Sequence, residues 1–217
     1  MRDGTSRGRS GPADRTAPPR PGPAPRRRHP DAPGPHAARQ RSRLIDALVT
    51  VVTERGYPRT TVADVAATAG VPVGEFHAQF ANLEECFLAA YERGTRALLA
   101  RVEAAYRAES SWPAAMRAGL RVALELTAAE PALARMCLLD ASRVGARVHR
   151  ARLAFLARFR SFLSGPGIPQ IPDVIRDAMI GGVYTIIYNH VESGRAEELP
   201  DLLVPMTHFL LAFYREG

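Results

Sequence analysis

The sequence predicts an all-α protein of about nine helices. Three observations carry this. Apolar residues recur at helical spacing through most of the chain after residue 38. Caps and stops bracket those segments, from Thr61–Asp64 and Gly70 to Asn82–Glu85 and Pro131. A length of 217 residues at 46% hydrophobic content suits one large domain or two small ones around a real core. No stretch approaches the roughly 20 apolar residues of a membrane span, so no membrane association is expected. The N-terminus has charge but lacks the apolar segment of a secretory signal. Cys86 and Cys137 lie in apolar helical contexts and read as reduced core thiols rather than a disulfide framework or metal site. A cytoplasmic location is the expectation.

Charge is unevenly placed. Residues 1–43 hold eleven Arg and three Asp, while residues 44–217 hold eighteen Arg and nineteen acids. The basicity is therefore an arm on a nearly neutral body. All 29 cations are Arg, which reads first as a bias of coding composition. Residues 1–38 contain nine prolines, five glycines and eight arginines with no apolar period. They read as a disordered Arg/Pro-rich arm, either a passive leader from a wrongly assigned start or a basic supplement to DNA binding.

The first helix runs from about Arg39 to Arg55, with Leu44, Ile45, Leu48, Val51 and Val52 as its apolar stripe. Arg39, Arg41 and Arg43 stand at its start, where the helix dipole disfavours cations, so a nearby polyanion would relieve the conflict. Thr61 and Asp64 form a capping box ahead of Val62, Val65, Ala66 and Ala69, and Gly70 stops that helix. A short helix follows with Phe76 and Phe80 on one face, and Asn82 with Glu85 opens a longer one. Two helices crossed over such a turn form a helix-turn-helix, whose second helix enters the DNA major groove. Residues 39–85 are thus the expected DNA-binding domain.

These residues resemble the N-terminal signature of the TetR family of transcriptional regulators. The matching features are Gly56-Tyr57, Thr60-Thr61, Val65-Ala66, Ala69-Gly70-Val71, Gly74, Phe76, Phe80 and Asn82. The chain departs from the family pattern at four places. Pro72 replaces a Ser or Thr cap, His77 a Tyr, Leu83 a Lys, and Glu75 stands where a small or hydroxylated residue is usual. Between Arg59 and Arg93 there are five carboxylates and no cation, which is not what phosphate binding favours. The DNA-contact candidates are Arg39, Arg41, Arg43, Arg55, Arg59, Thr60, Thr61, Gly74, Glu75, His77 and Gln79. Gln79 suits adenine, Glu75 suits the N4 of cytosine, and His77 suits a phosphate or base edge.

Residues 86–217 form the expected effector-binding and dimerisation body. A helix from Asn82 to about Ala108 leads into it. Others are predicted at about 112–129, with Pro113 at the first helical position, then 131–141, 142–163, 173–193 and 197–214, the last kinked or restarted at Pro205. The resemblance implies an effector pocket among the middle helices. Its candidates are Trp112, Met116, Leu120, Leu124, Met136, Phe155, Phe159, Tyr184 and Tyr188, although aromatic and Met residues at helical spacing are more often plain core. Tyr184 and Tyr188 are the polar anchors, and a largely hydrophobic small molecule is the expected effector. Arg143, Arg147 and Arg150 share a face, with Arg152, Arg158 and Arg160 nearby. That face reads as solvated, or alternatively as a site for an acidic effector or partner. The last two helices are apolar nearly all round and need covering. Val183, Ile187, Val191, Met206, Phe209, Leu210 and Phe213 are accordingly assigned to a homodimer interface.

No catalytic constellation, metal spacing or nucleotide fingerprint is present, so neither enzymatic activity nor a cofactor is expected. Two readings stand. One is a ligand-responsive transcriptional regulator, a repressor by resemblance, that binds an inverted-repeat operator in double-stranded DNA as a dimer. The other keeps the fold as a small-molecule-binding or interaction protein with weak or lost specific DNA binding.

Overall fold

The computed structural model describes Met1 and residues 34–165, 168, 170 and 172–212. The chain divides into two compact units, Met1–Gly34 and Pro35–Gly217. Most of the Arg/Pro-rich arm, with its cluster Arg26, Arg27 and Arg28, lies outside the described residues, and so does Phe213. The second unit holds all the described secondary structure, and all of it is helical. In order these are α1 (Pro35–Arg55), a 3-10 turn (Tyr57–Arg59), α2 (Val62–Ala69), α3 (Val73–Gln79), α4 (Leu83–Arg107), α5 (Trp112–Ala129) and α6 (Pro131–Arg135). There follow a π turn (Met136–Asp140), α7 (Ala141–Val144), α8 (Ala146–Arg158), a 3-10 turn (Phe159–Leu163), α9 (Asp173–Glu192), a 3-10 stretch (Ala196–Leu202) and α10 (Leu203–Leu210). With α6, the π turn and α7 counted as one continuous run, the described residues form nine helical bodies.

Local chemistry sets the head's geometry. The Thr61 hydroxyl accepts from Asp64 N, and the Asp64 carboxylate accepts from Thr61 N, closing the capping box of α2. Gly70 ends α2 in the left-handed conformation at φ 65°. Asn82 caps α4 by accepting from Glu85 N at 2.9 Å. Glu85 returns its carboxylate to Ala81 N rather than to Asn82 N, so the second box is displaced by one residue. Pro72 precedes α3 with no side-chain cap. Phe76, Phe80 and Phe87 are fully buried with Leu44, Leu48 and Val65, and the Tyr57 ring stands edge-on to Phe87 at 5.2 Å.

This first core does not stop at residue 85. Cys86, Phe87, Ala90 and Tyr91 of α4 belong to it, and so do Met136, Ala141 and Val148. A second core gathers Val102, Trp112, Met116, Leu120, Leu124, Met179, Val191, Leu199, Met206 and Leu210. The indole of Trp112 donates to Phe162 O at 2.9 Å and the Tyr106 hydroxyl donates to the same carbonyl at 3.2 Å, which pins the 159–163 turn.

Four boundaries differ from the sequence reading. Helix α1 begins at Pro35, because proline in the first turn forfeits no intrahelical bond. Pro113 is the second residue of α5, still among the N–H groups that lack a partner. The expected helix over 142–163 breaks at Gly145, where an added Cβ would stand 2.9 Å from a Glu84 carboxylate oxygen. The terminal helix is a 3-10 stretch that restarts as α10 at Leu203, with Pro205 in the new first turn.

Gly70 offers a direct test of head packing. A Cβ there would be strained by the positive φ and would sit 3.2 Å from the Arg43 guanidinium. Gly70→Ala should lower unfolding stability by about 1–2 kcal/mol, read as a lower urea midpoint with an unchanged slope.

Candidate functional site

The outward face of the helix-turn-helix is built by α3. Gly74, Glu75 and His77 are exposed and Gln79 is half-buried, while Phe76 and Phe80 turn inward. The cations of α1 are largely engaged within the head. Arg41 donates to Gln79 O at 2.7 Å and lies 4.1 Å from the centre of the Phe80 ring. Arg43 donates to Ala69 O at 2.5 Å. Each thus satisfies a carbonyl at the C-terminal end of a short helix, where positive charge also suits the dipole. Arg55 pairs with Asp64 at 3.0 Å. The Thr61 hydroxyl and backbone N–H, with Arg55 behind them, hold the Asp64 carboxyl below its usual range. Gln40 donates to Glu75. Thr60 is buried and donates to Gly56 O, while Thr61 is exposed but occupied by its box. Among the described residues, the Arg39 and Arg59 side chains are exposed and make no ion pair or hydrogen bond, while Arg59 N donates to Gly56 O at 3.2 Å.

The body contains a cavity of about 560 Å³. Met116, Leu120, Phe155, Phe159 and Tyr184 line it, as five of the nine pocket candidates. Trp112, Leu124 and Met136 are buried in the cores outside its lining. Tyr188 faces a separate polar recess of about 330 Å³ with Arg59, Arg135, Arg143 and Asp140, and donates to Glu192 at 3.2 Å. Residues absent from the sequence expectation also line the main cavity, among them Tyr91, Thr95, Leu133, Cys137 and Ile180. On α4 the lining runs from Tyr91 to Tyr106, a span of about 22 Å at 1.5 Å per residue. The void is therefore long as well as apolar. Arg152 backs it from α8, donating to the Tyr184 hydroxyl at 3.3 Å. Its place was legible: Val148, Arg152, Phe155 and Phe159 fall on one helical stripe, and a lone Arg on an apolar stripe is unusual. The rest of the arginine group is surface, with Arg158 paired to Glu103 and Arg160 to Asp177.

The residues assigned to an interface divide. Val183 and Ile187 line the cavity, and Val191, Met206 and Leu210 are buried in the protomer's second core. Helix α9 is apolar nearly all round because one side serves this core and cavity. Its outward side carries Val174 (72% exposed), Ala178, Gly181 and Thr185, beside Phe209 (42% exposed) and Val204 of α10. The Phe209 ring packs close to Gly182, where a Cβ would come within 3.3 Å of it.

The cavity and the head meet through the run 131–144. Leu133, Ala134, Cys137 and Leu138 line the cavity. From the same run Met136 and Ala141 enter the head core, and Asp140 accepts from Tyr57 N at 3.2 Å. The five-residue π turn lets successive side chains serve both faces. Among the described residues no group of three or more His, Cys, Asp or Glu could hold a metal ion, and no helix is long and apolar enough to cross a membrane.

A helix-turn-helix head joined to an all-helical body with an apolar cavity is the architecture these residues build. Residues 44–90 match the family model described as bacterial regulatory proteins, tetR family. The match covers the helix-turn-helix head, and the chain as a whole has the all-helical fold of TetR-type solved structures. Similar solved structures include the fatty acid degradation regulator FadR from Bacillus halodurans, at 20% identity and a TM-score of 0.72 over 82% of this chain and 97% of that one. FadR from Bacillus subtilis, solved in complex with stearoyl-CoA, has 20% identity and a TM-score of 0.70 over 80% of this chain and 99% of that one. A tetR-family regulatory protein from Rhodococcus RHA1 has 14% identity and a TM-score of 0.66 over 82% and 98%. These neighbours are transcription regulators. No curated protein sequence matches the chain.

Burial pushes both thiols, Cys86 in the head core and Cys137 on the cavity wall, up to about 12. The thiolate is the reactive form. At pH 8 the native protein should react slowly with iodoacetamide, and both thiols should react once it is unfolded in guanidinium. Rapid labelling of the native protein, counted by mass spectrometry, would contradict the burial described.

Proposed function

We propose that this protein is a ligand-responsive transcription regulator that binds an inverted-repeat DNA site as a homodimer and takes an elongated hydrophobic small molecule into its body. One observation carries the reading. The run 131–144 walls the cavity on one side and completes the head core on the other. A ligand that moves Leu133 or Cys137 must also act on Met136, Ala141 and Asp140. The length and apolarity of the cavity support a chain-like ligand, and the stearoyl-CoA bound by the Bacillus subtilis neighbour agrees in kind. Regulation further requires that the ligand bind the DNA-free conformation more tightly, since equal affinity for both shifts nothing. The protein acts in the cytoplasm, where its DNA is, and the reading gives it no catalytic role.

DNA recognition falls to α3, with Gln79, Glu75, His77 and Gly74 at the base edges, and phosphates to Arg39, Arg59, Thr60 and Thr61. Arg41, Arg43 and Arg55 act mainly by holding α2 and α3 in place. The rival reading, loss of specific DNA binding, is favoured by that same engagement and by the acids of the head. A gel shift with the protein's own upstream DNA, at about 150 mM salt with competitor, separates the two. Specific retention that fades on adding a long-chain fatty acyl ligand is the expected result. Retention of no fragment sinks the regulator, and retention unaffected by every tight ligand sinks the switch.

The arm supplies affinity more than preference. Each phosphate neutralised adds about 0.9 to the slope of log K against log salt. Deleting residues 2–33 should flatten that slope by several units per dimer and weaken operator and random DNA alike. Dimerisation uses the outward side of α9 and α10, and an obligate interface of this kind buries more than about 2,000 Å². Phe209→Asp, at a position already solvent-exposed in the protomer, should leave a folded monomer by sedimentation and circular dichroism.

A further inference from the structure

Most hydroxyls around the cavity are already committed. Thr95 donates to Tyr91 O, Thr127 to Ala123 O, and Tyr106 to Phe162 O. The exceptions cluster at the end nearest the head. The Tyr184 hydroxyl accepts from Arg152 but donates to nothing among the described residues. The Tyr91 hydroxyl meets no acceptor there either, and Arg152 Nε is buried without a hydrogen-bond partner. Cys137, Tyr184 and Arg152 all lie near enough to perturb Tyr91, whose hydroxyl is pushed up chiefly by burial. The Arg152 guanidinium stands 5.6 Å from the centre of the Tyr184 ring and has no carboxylate partner among the described residues. Leaving the buried Arg152 Nε without an acceptor is costly, and more so because it belongs to a cation.

We infer that this end of the cavity is a carboxylate-binding pole: Tyr184 and Tyr91, backed by Arg152, donate to the acid group of a ligand whose apolar chain runs along α4 toward Tyr106. The inference rests on the chain-ligand reading above and adds two things to it. The first is charge. The Arg152 guanidinium favours a carboxylate and disfavours an ammonium of like charge, while the two hydroxyls are free to donate to the acid group. The second is direction. Tyr91 packs in the head core, so the acid group sits beside the π turn and the far end of the chain lies in the second core, among residues such as Leu163 and Leu210.

The test uses the full chain and three probes with the same hydrocarbon chain: dodecanoate, dodecylamine and dodecanoyl-CoA. Calorimetry should show dodecanoate binding at least about tenfold more tightly than the amine, because hydrogen bonds to a charged group are the strong ones. Tyr184→Phe removes one hydroxyl with little change of shape, and Arg152→Leu removes the cation. Each should shrink the acid-to-amine ratio severalfold, with folding checked by circular dichroism. An amine bound as tightly as the acid overturns the pole. So does a ratio unchanged in Tyr184→Phe, or binding of the thioester alone. If none of the three probes binds, the chain-ligand reading falls along with the pole, whereas binding of all three with equal strength removes only the pole.

Discussion

A three-helix head of this size cannot close its own core. Domains this small bury too little of their surface to be stable alone without help, and here the help is apolar. Phe76 and Phe80 pack from within, but the cover comes from Phe87, Ala90 and Tyr91 of α4 and from Met136, Ala141 and Val148 beyond it. That borrowing fixes the rest of the architecture. Helix α4 must run unbroken out of the head, and the run 131–144 must return to it. What lies between α4 and that return is the cavity.

The head was legible in the sequence because its signals are local. A capping box, a left-handed glycine and a pair of phenylalanines four apart each act within a few residues, and periodicity set the helices of the body in the same way. What stayed hidden depends on contacts distant in sequence. Arg41 and Arg43 look like free cations at a helix start, yet they reach the carbonyls of Gln79 and Ala69. Gly145 looks like any glycine until Glu84 is placed against it.

The body shows the same limit from the other side. Helix α9 is apolar all round, and its sequence cannot say which side meets the core and which faces outward. Val183 and Ile187 face the cavity, while Val174 and Ala178 face outward. Tyr184 and Tyr188, one turn apart, fall into separate recesses. A cavity is an absence of packing, and helical periodicity marks its walls and a solid core alike. Arg152 is a departure of another kind, a cation on an otherwise apolar stripe of α8 that backs the cavity at Tyr184.

The shared core also bears on modularity. The head's hydrophobic residues are contributed by segments up to Val148, more than sixty positions beyond the end of the helix-turn-helix. A fragment cut after α3 loses Phe87, Met136 and Ala141 together and exposes the faces they cover. Grafting this head onto another regulator's body therefore means transplanting the matching surface of α4 and the 131–148 segment with it. A substitution on either side of that seam is therefore felt on the other, because both sides share one packed interior.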